Sequence, residues 1–158
     1  VCNCGMKGCY EAFCGGRALA QRMQKELADK PNHKVIELAG GEIENVDMKA
    51  LEFAVRAGDE YAVKLWDEMC FRNAQAFGTF INTFNPDMIV LGTIAIAAGD
   101  LFMEPVLKYL PQFCWSGPLK SCKITTSALG KHIGEYAGIA VALNFLYEKG
   151  EWELPWKH

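Results

Sequence analysis

One run of residues restricts the fold of this chain more than any other. Between Asp59 and Phe84, the residues Ala62, Leu65, Trp66, Met69, Cys70, Ala76, Phe77, Phe80, Ile81 and Phe84 recur in steps of three and four, with Asn73 filling the one gap. Such a stripe predicts a single long helix buried along its length against a sheet or other helices. Each large side chain so buried contributes roughly 1.5–3 kcal/mol before entropy is counted. Asn85-Pro86-Asp87 stops the helix, because the residue before a proline is pushed out of the helical region. Met88-Ile89-Val90-Leu91, closed by Gly92, is then an unbroken apolar run. It predicts a strand buried on both faces, the kind found in parallel sheets.

The rest of the pattern is consistent with that core. A helix is expected from Gly16 to Ala28, with Ala18, Leu19, Met23 and Leu27 at helical spacing and Pro31 ending it. Residues 31–46 are mixed, with a loop at Gly40-Gly41. Asp47 is placed to cap a short helix reaching Ala57, and Asp59 to cap the long one. A further helix should span Asp100 to Leu110. A β-prone run from Cys122 to Ala128 and a last helix from Ile133 to Tyr147 complete the order. The second half thus alternates strand and helix after the long helix, which predicts an α/β unit with right-handed crossovers. The expected organisation is one unit over 1–148 and a tail over 149–158. Within the unit, 1–11 form a cysteine knuckle, 12–84 are mainly helical and 85–148 run strand, helix, strand, helix. The tail, with Trp152 and Trp156 beside Pro155, either docks back on the body or is an added segment.

Composition removes several classes of function. With 51% hydrophobic and 22% charged residues over 158, the chain is neither disordered nor collagenous. Sixteen basic against nineteen acidic side chains give a net charge of −3, so no bulk attraction to nucleic acid or anionic membrane is expected. The longest nearly uncharged apolar stretch, Met88 to Gly99, falls well short of the about 20 residues that span a bilayer. The first residues carry no apolar segment of the secretory type. A cytoplasmic location without membrane association is the expectation.

Cys2-x-Cys4-x4-Cys9 puts three thiols within eight residues. In a secreted chain such a cluster belongs to a disulfide framework; in a reducing compartment it is a metal site. Zinc takes four tetrahedral ligands, and three sulfurs converge at this spacing only if the backbone turns sharply. Gly5 and Gly8 permit the positive φ those turns need. A structural zinc on Cys2, Cys4 and Cys9 is expected, with its fourth ligand unassigned: His33, His132 and His158 are all distant in sequence.

The segment Cys-x-Cys-Gly-x-x-Gly-Cys-x-Glu, from Cys2 to Glu11, resembles the signature of the ROK family of sugar kinases and sugar-responsive repressors. Ala57-Gly58-Asp59 with the helix behind it, Asn85 to Gly92, Gly99 to Val106, and Ser127-Ala128-Leu129-Gly130 with Gly134 and Gly138 resemble the same family in the same order. The resemblance covers Cys2 to about Tyr147. It implies the actin-like ATPase fold, of which residues 1–148 would be the helix-rich C-terminal RNase H-like lobe, incomplete by itself. It implies a glucokinase-like hexose kinase that moves the γ-phosphate of ATP, held with Mg²⁺, onto a sugar hydroxyl. It also implies that the general base, the phosphate loop and the histidine ligand of zinc lie upstream of residue 1, so the isolated chain should be inactive. The alternatives are the sugar-sensing part of a ROK repressor, which would bind DNA through an upstream helix-turn-helix, and an interaction module without activity. A kinase would have no nucleic-acid partner. The resemblance also implies a homo-oligomer, because family members are commonly dimers or tetramers.

Carried onto this sequence, the resemblance makes Glu11 a sugar-binding residue whose carboxylate accepts hydrogen bonds from vicinal hydroxyls. Gly92 and Thr93, at the carboxyl end of the predicted strand, become nucleotide-side residues. Thr93 stands where the family usually has glycine, and its Cβ narrows the approach. Cys14, Cys70, Cys114 and Cys122 read as unreactive and Asn73 as the holder of a polar contact. His132 and the lysines at 120, 123 and 131 read as surface groups.

Overall fold

The structure, a computed structural model, describes residue 2 and residues 4–153. The tail beyond Glu153 therefore lies outside the described residues. The long helix is present as α5 (Glu60–Phe84), the longest element among the described residues. Asp59 caps it, its carboxylate accepting from the Ala62 amide at 2.8 Å. Its other end closes on Asn85, which turns left-handed at φ 43°. Around it are α1 (Glu11–Cys14), α2 (Gly16–Glu26), α3 (Lys34–Leu38) and α4 (Met48–Arg56). Asp47 caps α4 as expected, accepting from the Ala50 amide at 2.9 Å.

The stripe on α5 shifts phase along its length. Ala62, Leu65, Trp66, Met69, Cys70, Phe77 and Ile81 are buried. Phe80 and Phe84 are exposed, and Ala74 and Gly78 occupy the buried face instead. The cause is a close crossing. A Cβ at Gly78 would lie 2.6 Å from both the Cβ and the backbone oxygen of Phe113, so only glycine lets that segment approach.

After α5 come β1 (Met88–Leu91), α6 (Thr93–Ala98), α7 (Asp100–Tyr109), α8 (Ser116–Ser121), β2 (Lys123–Thr126) and α9 (Ile133–Glu148). The two strands pair in parallel, Met88 opposite Lys123 through Leu91 opposite Thr126. This confirms the α/β alternation. Four helices were not foreseen: α1, α3, α6 and α8. In α3 the cap is His33, whose Nδ1 accepts from the Val35 amide at 3.3 Å. The short α6 and α8 fall where the sequence suggests only connections.

The expectation that β1 is buried on both faces fails. Ile89 and Leu91 pack against the core, while Met88 and Val90 are 48% and 57% exposed. A strand is covered on both faces only when elements lie against each, and here the second face of the sheet has no cover among the described residues. The core is helical: Leu19, Met23, Leu27, Val35, Ile36 and Leu51 meet the buried face of α5 and Phe102, Val106 and Leu110.

Pro105 inside α7 removes one amide from the helix, so the Leu101 carbonyl lacks its usual donor. Trp66 supplies a replacement, its indole Nε1 donating to Leu101 O at 3.0 Å. One proline in α7 thus fixes the orientation of the largest side chain of α5.

Candidate functional site

The knuckle closes as the glycines require. Cys2 N donates to Met6 O and Gly5 N to Cys2 O, both at 2.9 Å. Gly5 and Gly8 take φ of 84° and 81°. The Sγ atoms of Cys2, Cys4 and Cys9 come within 4.8 Å of one another, with Cys4 and Cys9 3.5 Å apart. Tetrahedral zinc with bonds near ~2.3 Å would hold sulfurs about 3.8 Å apart, so the donor set fits that ion. A hydrogen bond with the Met6 backbone, then bonds with the Cys2 and Cys9 thiols, hold Cys4 below the ordinary thiol value. Its hydrogen bond with Cys4 pushes Cys9 up to about 11. A thiol whose proton its neighbours make easier to lose is one from which a divalent cation readily displaces that proton. Neither His33 nor His132 joins the group, and His158 lies outside the described residues.

The chain leaves the knuckle directly into α1, which sets Glu11 in its first turn. Tyr10 anchors this turn to α5. Its hydroxyl donates to the Asn73 side-chain oxygen, and Asn73 Nδ2 donates to Met69 O at 2.8 Å. The polar contact expected of Asn73 is therefore made. Burial keeps the Tyr10 hydroxyl protonated well above the usual range, and burial pushes the Cys14 thiol up to about 11.

Glu11 is exposed and faces a cavity of about 670 Å³. Cys14, Gly15 and Gly16 continue its wall, Met48, Lys49, Glu52 and Phe53 come from α4, and Trp66 closes the side formed by α5. Thr93 and Ile94 enter from α6. Glu11 and Thr93, far apart in sequence, thus share one cavity. Gly92 does not line it. Its φ of −106° makes no demand for glycine, and a Cβ there would meet Ile133 only at 3.6 Å. Thr93 adopts φ 40°, a region that a β-branched residue rarely occupies.

Two features escaped the sequence. Gly15 is buried, and a Cβ there would strike the Glu11 carboxylate and lie 2.6 Å from the Glu11 backbone oxygen. Glycine at 15 is what lets the Glu11 side chain fold where it does. The α4 wall was also missed. Phe53 on an exposed face was the available signal, but its relation to Glu11 arises only when α2 settles on α4, where a Cβ at Gly16 would be 3.2 Å from Met48 Cγ.

The parallel strand pair, the helical body and the thiol knuckle define a class, and comparison with known proteins agrees with it. The ROK family profile matches residues 1–143, and the chain belongs to that family. It is 28% identical over 149 residues to a glucokinase of Thermotoga maritima, covering 94% of this chain and 45% of the relative. It is 25% identical over 129 residues to a xylose repressor of Caldicellulosiruptor bescii, covering 82% of this chain and 32% of the relative. Among solved structures, a ROK family glucokinase from Streptomyces griseus in complex with glucose and AMPPNP superposes with a TM-score of 0.68 at 23% identity, covering 83% of this chain and 43% of that one. The chain therefore shares its fold with ROK glucokinases and spans less than half the length of these relatives. Among the described residues, no helix is long and apolar enough to cross a membrane.

Proposed function

We propose that this chain supplies the sugar-side, metal-side and nucleotide-side residues of an ATP-dependent hexose kinase, as part of the RNase H-like C-terminal lobe of an actin-like ATPase fold. The observation that carries the reading is that Glu11 and Thr93 open into one cavity large enough for a hexose and a phosphate tail. In this reading Glu11 accepts from two adjacent sugar hydroxyls and fixes which oxygen faces the phosphoryl donor. Cys2, Cys4 and Cys9 hold a structural zinc that stiffens the turn before Glu11. Thr93 and the Gly92 backbone border the nucleotide. ATP with Mg²⁺ supplies the transferred phosphoryl group, and the general base comes from outside residues 1–158. The chain's own contribution is positioning, so by itself it turns over no ATP. The xylose repressor match supports a second reading, in which the same cavity senses a sugar without transferring phosphate.

The test is glucose binding and zinc content, measured together on the chain and on its E11Q variant. The kinase and sensor readings both require that E11Q weaken glucose binding about tenfold or more, the loss of charge-assisted hydrogen bonds, with zinc unchanged. Zinc lost along with the sugar would make Glu11 a structural residue and defeat the assignment. Phosphorylation of glucose by the protein that carries this chain separates kinase from sensor.

A further inference from the structure

A second, smaller cavity of about 230 Å³ lies on the other side of α1, lined by Gly8, Tyr10, Phe13, Arg72, Gln75 and Ala76. Its one charged group is Arg72. Four residues earlier on α5 stands Glu68, the natural ion-pair partner at helical spacing. Glu68 is engaged elsewhere, accepting from Arg22 Nη1 at 3.0 Å. Arg72 turns instead between two rings, its guanidinium carbon 5.6 Å from the Phe13 centroid and 6.0 Å from that of Phe71. Its one hydrogen bond among the described residues runs from Nη1 to Gln75 Oε1 at 3.3 Å. Its Nε is buried without any partner. No carboxylate among the described residues forms an ion pair with it. A guanidinium presents Nε and Nη2 as a fork matched to a carboxylate, and both prongs are without partners here.

We propose that this cavity binds a carboxylate on a small apolar body, with Arg72 as the anchor. The carboxylate meets the open Nη2 edge first, and the half-exposed Phe13 ring gives way so that Nε completes the fork. Tyr10, Phe13 and Ala76 receive the apolar part. The composition fits such a ligand better than phosphate, because one planar fork between two rings offers two donors in one plane and no second cation.

The Arg72 Nε–H resonance reports occupancy directly. Butyrate titrated into the chain should shift that resonance saturably, and R72Q should weaken binding about tenfold or more, with R72K intermediate because it keeps charge without the fork. Arg22 does not line the cavity, yet R22Q should also weaken binding, since the released Glu68 can then pair with Arg72. R22Q combined with E68Q should restore it. A peptide carrying an aspartyl side chain, compared with butyrate, tells whether a protein or a free carboxylate is the better ligand; binding of either supports the site. Inorganic phosphate binding as tightly as butyrate would overturn the carboxylate assignment. Butyrate binding unchanged in both R72Q and R72K would overturn the site, and R22Q without effect would overturn the competition by Glu68.

Discussion

Thr93 shows most directly how a single residue is held against its preference. A left-handed backbone costs an L-residue roughly 1–2 kcal/mol, and a β-branched side chain sits there with difficulty. Because Thr93 is exposed, it has little packing to offset that strain. T93G should therefore raise the unfolding free energy measured with urea, by about 0.5–1 kcal/mol once the extra freedom of unfolded glycine is subtracted. No gain would mean that the hydroxyl makes a stabilising contact. Cys14 and Cys70 act on stability through protons. Burial raises them from 9.0 to about 11 and about 12 in the folded chain. The folded state keeps these protons at pH values where the unfolded chain releases them. Their stabilisation is thus complete below the ordinary thiol value and is lost as pH climbs from there through the folded values of about 11 and about 12. Denaturation should become easier from about pH 9 up to about pH 12, and C70A should flatten that slope. An unchanged slope in C70A would show that the Cys70 thiol does not carry it. At this scale the sequence was a good guide wherever the geometry is local. The thiols, Gly5, Gly8 and Glu11 lie within one short stretch, so their meeting needs no tertiary information. Gly15 was hidden because its role depends on where the Glu11 side chain folds.

Among the elements, the caps at Asp47 and Asp59 and the extents of α4, α5 and β1 were legible because each is fixed by neighbours in sequence. The strand pairing was legible from the apolar run and the β-prone run. What could not be read was anything set by a crossing. The phase slip on α5 follows from Phe113 pressing on Gly78, and α3 starts at a histidine, a residue not ordinarily counted as a cap. The Trp66 bond to Leu101 O is another such feature, and it gives a test of element coupling. W66F leaves the carbonyl that Pro105 has already orphaned without any donor, which should cost about 1–3 kcal/mol in addition to the smaller ring. P105A returns an amide to α7, so W66F should cost less in that background. A double-mutant cycle by urea denaturation should therefore show coupling between the two sites; additive effects would mean that the indole bond contributes nothing to stability.

At the scale of the whole molecule the described residues divide unevenly between a packed helical body and surfaces without cover. Core residues come from α2 to α7 and the segment at Leu110, whereas α9 contributes none. That helix is apolar around its whole circumference, a composition normal for a helix surrounded by other elements. Yet Tyr136, Ile139, Val141 and Phe145 are each more than half exposed. Met88 and Val90 on the sheet are likewise exposed, and such apolar groups are open to association. Two consequences follow from α9 being held by little of the core. Its amides should exchange with solvent much faster than those of α5, which open only with the body as a whole. And V141K should leave the unfolding free energy measured with urea within about 0.5 kcal/mol of the parent, as expected of a side chain that is 71% exposed. Self-association measured by sedimentation should fall in the same variant, because a charge then stands in the apolar face. Equal protection of α9 and α5, or a V141K chain that unfolds far more easily, would show that α9 is packed on the body in solution.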